Sequence, residues 1–412
     1  GPSDPEAKAE LRRRLDALTA QLDRFLAAEY GVNLTGKKAF PAWKASHQPF
    51  HWCVEFYGIM NRGGFDVIVG NPPYLDLKDF DKFNLLGYST VSTRNLYSLI
   101  VERCLKHLQG AHHGYIIPVS SIASEGYSAL QEVLVMRGLA ISSFDDRPAH
   151  LFDGLDKNTL SIAMTLPPYE RDHYLTRLNR WSSFERSSLF DNLAYTLRCP
   201  CSLPGCIPKI GTQLEREIWG KIHAKRPLFS SYCVSSQFRV YYSRKVNSFL
   251  QVLDFVPEVR NGNSCLRAPS EFKTLHFNSI DEASAVFCAL NSSVFRWFLD
   301  VVSDGSHLNK RDVDGFPFSP IEASNFIPSI SDYGSELSEN LQRTSVSRTM
   351  RYRHDVLTVQ CIIPKKSKST IDHIDECLSK YYLFTDQELD FIINYDIKYR
   401  MGRDAEGEGD DA

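Results

Sequence analysis

The chain has 412 residues, of which 43% are hydrophobic and 24% are charged, ordinary values for a soluble globular protein of two or three domains. No apolar run approaches the about 18 residues that a membrane helix needs, so we expect no membrane association. The formal net charge of −3 creates no overall field that attracts nucleic acid. Ten cysteines without framework spacing predict reduced thiols in the cytoplasm.

Residues 1–60 are predicted to form a helical segment. It opens with Gly-Pro-Ser and no Met, which is typical of a protease remnant, so we expect a fragment of a longer polypeptide. A helix over residues 6–29 is predicted to be a packing helix, since its apolar positions repeat at 4-3-4-3 spacing. These positions are Leu11, Leu15, Leu18, Leu22 and Phe25. The aromatic stretch "PFHWCVEFYGIM" that follows is expected to be buried.

Residues 61–170 predict an α/β domain with a mainly parallel sheet, because strand patterns alternate with helix patterns. "GGFDVIVG" predicts a buried strand that ends at Gly70. The next predicted elements are the helix "NLYSLIVERCLKHL", the strand "HGYIIPVS", the helix "GYSALQEVLVMRG" and the strands "AISSFDDR" and "LSIAMTL".

The remaining chain divides into an irregular region, residues 171–360, and a helical segment, residues 361–412. Residues 171–273 hold 16 Lys and Arg against 8 Asp and Glu, an excess of 8 positive charges. In the helical segment, Thr385 and Glu388 predict a capping box, and the acidic tail "DAEGEGDDA" is typical of disorder. The cysteine cluster in the irregular region has no standard zinc spacing, so we predict no metal site. Its members are Cys199, Cys201, Cys206 and Cys233.

The tetrapeptide Asn71-Pro72-Pro73-Tyr74 directly follows the first predicted strand. Ligands of α/β sheets bind at the carboxyl ends of parallel strands, so a polar side chain here is a candidate site residue. The prolines fix the turn and have no N–H, so the Asn71 amide oxygen and the Pro72 carbonyl become fixed acceptors. Two acceptors beside the Tyr74 ring suit the exocyclic amine of a base extruded from the duplex. The alternative interpretation is a proline turn that only closes a strand.

"GGFDVIVGNPPY" resembles the catalytic motif of the gamma-class amino-methyltransferases that methylate N6 of adenine in DNA. More narrowly, the chain resembles the large methylases of type IIG restriction–modification and phage-defence systems, over about residues 40–400. "LYSLIVERCLKHLQGAHHGYIIPVS" is similar to the helix and strand that follow their motif. "ALNSSVFRWFLDVVSDGSHLNKRDVDGFPF" resembles the end of their target-recognition domain. "IDHIDECLSKYYLFTDQELDFIINYDIKYR" resembles their closing helical segment.

The resemblance implies part of a class I (Rossmann-like) methyltransferase sheet over residues 61–170, a mixed α+β target-recognition domain over residues 171–360 and a helical C-terminal segment. It implies S-adenosylmethionine as the methyl donor and base flipping as the route to the amine. "LFDGLDKNTLSIAMTL" is similar to the motif whose aromatic residue stacks on the flipped base opposite the Tyr74 position. Phe152 is the residue that matches it.

The family's glycine-rich turn for S-adenosylmethionine is missing from this sequence, since no strand–Gly-x-Gly–helix unit precedes Asn71 or follows it. No cofactor-binding residue can therefore be named. Three explanations stay open: a C-terminal fragment, a natural split with the cofactor half on a partner protein, or a homologue that has lost its chemistry. We expect the isolated chain to bind S-adenosylmethionine weakly or not at all.

The recognition region is expected to bind double-stranded DNA. Contacts to phosphates position a protein on the duplex, whereas contacts to base edges specify the sequence. The candidate phosphate contacts are Arg239, Arg244, Lys245, Lys310 and Arg311. The candidate base readers are Arg260 with Asn261, and Arg267, while His307 and Asn309 lie in the motif-like "SDGSHLNKRD". The alternatives are a non-catalytic DNA-binding specificity module, or a methyltransferase that acts on RNA or on a protein glutamine.

Overall fold

The computed structural model describes residues 5–80, 82–85, 87–152, 159–167, 169–228, 233, 235–261, 264–266, 272–352 and 355–402. Helices and strands alternate only between residues 67 and 144 and occur in runs elsewhere. The α-helices described are α1 (Pro5–Glu29), α2 (Ala39–His47), α3 (Trp52–Glu55), α4 (Tyr57–Met60), α5 (Leu96–His107), α6 (Ser120–Ala123), α7 (Ser128–Leu134), α8 (Gln213–His223), α9 (Ile280–Asn291), α10 (Ser293–Val302), α11 (Lys310–Asp314), α12 (Pro320–Phe326), α13 (Ile330–Arg343), α14 (Lys368–Tyr382), α15 (Asp386–Ile393) and α16 (Ile397–Arg400).

The strands form three sheets, and short 3-10 helices lie between elements. The strands described are β1 (Val67–Gly70), β2 (His112–Pro118), β3 (Leu139–Phe144), β4 (Leu160–Thr165), β5 (His173–Asn179), β6 (Thr196–Leu197), β7 (Phe238–Ser243), β8 (Val252–Leu253), β9 (Val259–Asn261), β10 (Ser264–Leu266), β11 (Phe272–Phe277), β12 (Val346–Tyr352) and β13 (Asp355–Cys361). The 3-10 helices described are Leu77–Phe80, Ser89–Thr93, Glu125–Tyr127, Ser183–Ser188 and Pro364–Ser367.

The largest sheet has the strand order β1-β2-β4-β3-β5-β6. The pairs β1–β2 and β3–β5 are parallel, whereas β4 lies antiparallel between β2 and β3, and β6 is antiparallel to β5. The strands β1, β2, β3 and β5 therefore point in one direction, and β4 and β6 point in the other. The sheet is mixed rather than mainly parallel, because β4 returns beside β3 instead of crossing over through a helix. The α/β class is confirmed, and β5 and β6 extend the sheet past the predicted boundary at residue 170.

The prediction that "GGFDVIVG" is a buried strand is wrong in its burial. In the described part of the sheet, β1 has one neighbour, β2, and it forms the sheet's edge. Val67 and Val69 project from the same face of this strand and are 58% and 77% exposed, whereas Ile68 on the other face packs against the apolar cluster of the sheet. The aromatic stretch before β1 is also exposed in part, since Phe50 and Tyr57 keep more than half of their surface in solvent. An apolar strand at an open edge is a surface that another chain or domain can pair with.

The predicted amino-terminal helix is confirmed as α1, but most of its apolar face is exposed. Leu11, Leu15, Leu18 and Phe25 are exposed, while Asp23 and Ala27 of the same helix are buried. Asp23 forms ion pairs with Lys44 of α2 at 2.6 Å and with His51 at 2.8 Å. These contacts attach α1 through its polar side, which leaves the leucine face exposed.

The predicted helices and strands around the central sheet are confirmed as α5, β2, α7, β3 and β4. Tyr97, Val101 and Leu105 recur every four residues along α5 and pack in one apolar cluster with the central strands and α7. This cluster gives the carboxyl end of the sheet a rigid support.

A second and larger apolar core is built by residues 199–395. Helices α9 and α10 lie inside it, and nearly every residue of α10 is buried. Helices α14 and α15 contribute to the same core, so the closing segment packs against the recognition region instead of standing apart. Thr385 and Glu388 form the predicted capping box. No single described helix is long and apolar enough to span a membrane; only the consecutive pair α9 and α10, bent by 63°, reaches that length and composition together.

The sheet of order β10-β9-β13-β12 lies outside these cores: within the described segments, none of its residues belongs to an apolar cluster. Strand β12 is exposed from Val346 to Arg351. Side chains alternate across the sheet, so Thr349 and Arg351 share one face with Thr358 and Arg260. Arg348 projects from the opposite face. The sheet therefore presents arginines to solvent on both sides.

Candidate functional site

The candidate active site lies at the carboxyl edge of the six-stranded sheet. Because β1, β2, β3 and β5 run in the same direction, their carboxyl ends meet at this edge. Asn71 follows β1 there, and Asp145 follows β3. The segment 145–159 begins and ends at the same edge, since β4 runs back from it. Sequence reasoning thus placed the tetrapeptide at the edge where α/β sheets bind ligands.

The side chains of the corner Asn71-Pro72-Pro73-Tyr74 are held in place by the Tyr74 hydroxyl and ring. The Tyr74 hydroxyl lies 2.7 Å from the Asn71 amide oxygen and 3.0 Å from the Ile116 carbonyl oxygen of β2. The Tyr74 ring packs edge-on against Tyr97 of α5, with ring centroids 5.5 Å apart. Burial raises the pKa of Tyr74 to about 12, so its hydroxyl stays protonated near neutral pH.

The single hydroxyl hydrogen of Tyr74 can be donated to only one of its two neighbours, which affects how the Asn71 amide is oriented. A hydroxyl carries one hydrogen, and the Ile116 carbonyl can only accept. With the hydroxyl donating to Ile116, a half-turn of the Asn71 amide would let its NH₂ group donate to the Tyr74 oxygen. The Asn71 carbonyl oxygen would then be free to accept from a ligand.

The Pro72 carbonyl is the second predicted acceptor. It accepts no hydrogen bond from the residues that the structure describes, whereas the Pro73 carbonyl accepts one from the Leu75 N–H at 3.0 Å. The loop is tied to α5 because the Leu96 N–H donates to the Leu75 carbonyl at 2.8 Å. The Pro72 carbonyl therefore remains able to accept a hydrogen bond from a ligand. The two hydrogen bonds of Leu75 fix the backbone next to it.

Two further polar groups near the corner were missed by sequence reasoning. Asn95 pairs with Asp76 in an isolated β-bridge just after the corner. Within the described chain, the buried Asn95 side-chain oxygen and the buried Ser98 hydroxyl have no hydrogen-bond partner. Unpaired buried polar atoms are rare and mark places where a ligand or water binds. Asn95 and Ser98 can be recognised only from the contact between Asn95 and Asp76, which the sequence does not show.

Phe152 lies in the segment that leaves the carboxyl end of β3 and is 37% exposed. Two strands, β2 and β4, separate β3 from β1, which corresponds to about 14 Å across the sheet. The eight residues from Phe144 to Phe152 are long enough to cover that distance. Its role opposite Tyr74 stays a prediction.

The structure brings the basic residues of two distant segments together near this edge. Lys245 and His307 form a β-bridge, and the Leu308 N–H donates to the Arg244 carbonyl at 2.9 Å. Asn309 and Lys310 follow and are exposed, as is Arg244. The Thr159 hydroxyl donates to the Asp304 carbonyl at 3.0 Å, which places this basic group beside segment 145–159.

Arg311 is placed differently from the prediction. Its guanidinium donates to the carbonyl oxygens of Ala123, Pro204 and Val302 and to the Asp312 carboxylate. Most of its donors are therefore engaged at the junction between α6 and the recognition region. This geometry argues for a packing role and against the predicted phosphate contact.

The other predicted DNA-binding residues are dispersed. Arg239 is exposed on β7 and donates to the Ser236 carbonyl at 2.9 Å. Arg260 is exposed on β9 and pairs with Glu258 at 2.7 Å. Arg267 lies outside the described residues, and so does the side chain of Asn261. Sequence reasoning missed the exposed Arg348 and Arg351 of β12, which the alternation in "VSRTMRY" could have revealed.

The described residues contain no group of three or more His, Cys, Asp or Glu side chains that could hold a metal ion. Nine cysteines are described, and all are free thiols. Nor does the described carboxyl edge provide a glycine-rich turn for S-adenosylmethionine. The role of Asn71 and Pro72 as amine acceptors stays a prediction, and no cofactor-binding residue can be named among the described residues.

Residues 13–145 match the family model described as Eco57I restriction-modification methylase. The predicted type II restriction enzyme and methyltransferase RM.MjaORFECS2P of Methanocaldococcus jannaschii is 28% identical over 127 residues. Those residues make up 30% of this chain and 11% of that protein. Both matches support a methyltransferase of the restriction-modification kind. The resemblance of the segments after residue 145 stays a prediction.

Two solved structures are similar at low identity. The type IIL restriction-modification enzyme MmeI in complex with DNA has a TM-score of 0.38 and 11% identity, over 81% of this chain and 57% of that one. The DrdV–DNA complex has a TM-score of 0.36 and 10% identity, over 86% of this chain and 58% of that one. Scores of this size do not establish a shared overall fold. The chain corresponds to part of the length of each of these proteins.

Proposed function

We propose that this chain is the catalytic corner and DNA-recognition portion of an S-adenosylmethionine-dependent DNA adenine-N6 methyltransferase. The observation that carries the proposal is the acceptor pair at the carboxyl end of β1. The Asn71 amide is held 2.7 Å from Tyr74, and the Pro72 carbonyl has no partner in the described chain. The family match over residues 13–145 includes this corner.

The corner would act on the amino group of an extruded adenine. The Asn71 oxygen and the Pro72 carbonyl would accept the two amine hydrogens and draw the nitrogen lone pair out of conjugation with the ring. Positive charge develops on this nitrogen as it forms its new bond to carbon, so both hydrogen bonds strengthen in the transition state. S-adenosylmethionine, when bound, supplies the electrophilic methyl group. The methyl carbon would leave its sulfur as it bonds to the nitrogen. The amine would then give one of its two protons to water, by way of the oxygen that accepts it, and become neutral again.

Tyr74 and Phe152 would position the base. A base that leaves the duplex loses its stacking, and an aromatic side chain restores about 1–3 kcal/mol of it. Tyr74 is held by Tyr97 and by the Ile116 carbonyl, so it is a preorganised surface for the base. We further infer that Asn71 makes its half-turn when the base enters, with Tyr74 as the hydrogen-bond partner that fixes the turned amide.

The cofactor half would dock on the exposed apolar surfaces of the amino-terminal part. β1 offers an edge that no described strand pairs with, with Val67 and Val69 in solvent, and α1 offers its leucine face. Helix α1 precedes Asn71 in the chain, and β1 ends directly before it. A domain that adds strands beside β1 would bring its ligand to the same sheet edge as Asn71. This surface supports the need for an upstream half or a partner protein.

DNA recognition is supported by the basic group formed by residues 244–245 and 307–310, which lies beside segment 145–159. The peripheral sheet of β9, β10, β12 and β13 adds Arg260, Arg348 and Arg351. An exposed antiparallel ribbon with arginines is one of the elements that enter a DNA groove.

The test is methyl transfer with and without the missing half. Tritiated methyl transfer to duplex DNA should be absent for the chain alone and restored by the upstream half or partner. Asn71→Ala should abolish the restored transfer, while Asn61→Ala, an exposed asparagine after α4, should not change it. DNA binding without restored transfer would support the alternative, a non-catalytic specificity module. Micromolar binding of S-adenosylmethionine to the isolated chain in calorimetry would contradict the missing cofactor site.

A further inference from the structure

A cavity of about 100 Å³ lies where the carboxyl edge of the large sheet meets the segment that follows β7. Asp145 and Arg147 line it from the end of β3, and Arg180 lines it from just beyond β5. Arg296 of α10 and Arg400 of α16 complete the charged wall. Four arginines and one aspartate therefore face a space of small-molecule size.

The guanidinium group of Arg180 is fully engaged in ion pairs within the protein. It lies 2.7 Å from Asp145, 2.7 Å from Asp300 and 2.6 Å from Asp396. These ion pairs join the sheet, α10 and the segment before α16. Arg180 accordingly balances the carboxylates of the junction, including the one that lines the cavity.

Arg400 has no such partner. It is 5% exposed, and its guanidinium donates only to neutral acceptors: the Ser248 carbonyl, the Ser293 hydroxyl and the Tyr395 carbonyl. The described residues place no carboxylate within ion-pair distance of it. Burial, together with the nearby Arg296, lowers the pKa of Arg400 to about 10, which still leaves it charged at neutral pH.

Arg296 and Arg147 complete the set. Arg296 gives one nitrogen to Asp300 at 2.6 Å, but its buried Nε has no hydrogen-bond partner in the described chain. Arg147 is 63% exposed and meets Asp146 only at 3.4 Å. Asp375 and Asp300 act on Arg400 only from beyond ion-pair distance, so no described carboxylate contacts its charge. A buried charge without a contacting carboxylate and a buried donor without an acceptor are both unfavourable, so the cavity is suited to an anion.

We propose that this cavity binds a phosphate group, and that the phosphate belongs to the DNA backbone next to the extruded base. Planar guanidinium groups match the oxygens of a phosphate, which favours this anion. The cavity begins at Asp145, on the same sheet edge as Asn71, and the predicted phosphate contacts Arg244 and Lys245 directly precede its other wall. A base rotates out about its own backbone, so the flanking phosphate must be held near the pocket. The assignment of the phosphate to DNA rests on the proposed function, whereas phosphate binding as such does not.

The first arm of the test uses inorganic phosphate and the 412-residue chain. Thermal unfolding is measured with millimolar phosphate and with chloride at matched ionic strength. Phosphate should raise the Tm of the wild type, because it binds the folded state only. Arg147→Ala and Arg400→Met should remove the rise. Arg171→Ala, which removes an exposed arginine at the opposite edge of the sheet, should keep it.

The second arm uses labelled duplex DNA and a salt titration. Arg147→Ala should flatten the slope of log Kobs against log salt by about 0.9, the loss of one phosphate contact, and Arg171→Ala should not. Should Arg400→Met fail to fold, Arg147→Ala alone decides, since it truncates an exposed side chain.

Loss of both responses in Arg147→Ala supports the whole proposal. A lost phosphate response with an unchanged slope retains the cavity as a phosphate site and overturns the DNA backbone as its source. Equal Tm responses of the wild type and both cavity variants overturn the site itself. A wild type that binds no DNA at any salt concentration overturns the proposed function, and the thermal arm then decides the phosphate site independently.

Discussion

Replacing Tyr74 by Phe should slow methyl transfer without weakening DNA binding. The change removes only the hydroxyl, which lies 2.7 Å from the Asn71 oxygen and 3.0 Å from the Ile116 carbonyl. A net hydrogen bond contributes about 0.5–1.5 kcal/mol, so an Asn71 amide left without its partner should lower the rate about two- to tenfold. The ring remains packed on Tyr97 and can still stack on the base.

The assay is single-turnover methyl transfer at saturating DNA, with the cofactor half present, alongside DNA binding by anisotropy. Tyr74→Ala is the matched comparison because it also removes the ring. We expect it to weaken binding of DNA with an unpaired target base by about 1–3 kcal/mol, which Tyr74→Phe should not do. A rate for Tyr74→Phe equal to that of the wild type would refute the orienting role of the hydroxyl. Equal binding losses in the two variants would refute the separation of stacking from orientation.

Other expected outcomes concern stability, pH and salt. Asp300→Asn removes the carboxylate that two buried arginines share, so the free energy of unfolding in urea should fall by about 3–5 kcal/mol. The control Asp16→Asn, at an exposed position, should change the free energy of unfolding by less than about 0.5 kcal/mol. Equal urea midpoints for Asp300→Asn and Asp16→Asn would contradict a stabilising role of the ion pairs at Asp300. Burial alone would raise the pKa of Glu102, but hydrogen bonds from Lys106, Thr90 and Ser89 lower it to about 2, below the usual 4.5. The contribution of Glu102 to the free energy of unfolding is therefore complete above pH 4.5 and is lost as the pH falls towards 2. The urea midpoint of Glu102→Gln should therefore change less with pH over that range than the midpoint of the wild type. The same pH dependence in both proteins would argue against this role of Glu102. Arg244→Ala should flatten the salt slope of DNA binding by about 0.9, while Arg171→Ala leaves it unchanged, and identical slopes would remove Arg244 from the phosphate contacts.

Local patterns sufficed for the elements that carry the corner. The 3.6-residue period of α5, the apolar run of β2 and the capping box at Thr385 are all short-range signals, and each is confirmed. The placement of Asn71 at the carboxyl end of a strand was likewise readable from the sequence, because strand and corner are adjacent. The contact of its amide with the Tyr74 hydroxyl was not predicted, because only the ring of Tyr74 was given a role.

Features that depend on distant pairing were not readable. The exposure of Val69 depends on which elements cover its face of the sheet, and no local pattern encodes this. The engagement of Arg311 depends on carbonyls that are 9 to 188 positions away along the chain. The cavity around Arg400 likewise joins six stretches of the chain, from Asp145 to Arg400. In each case tertiary contacts decide the role of a side chain whose type alone suggests something else.

The peripheral position of the β9–β13 sheet has a consequence for how specificity can change. Because its described residues belong to neither the sheet core nor the recognition core, substitutions there disturb little buried packing. If this sheet contacts DNA as proposed, its arginines could be exchanged one at a time while the packing of both cores stays unchanged.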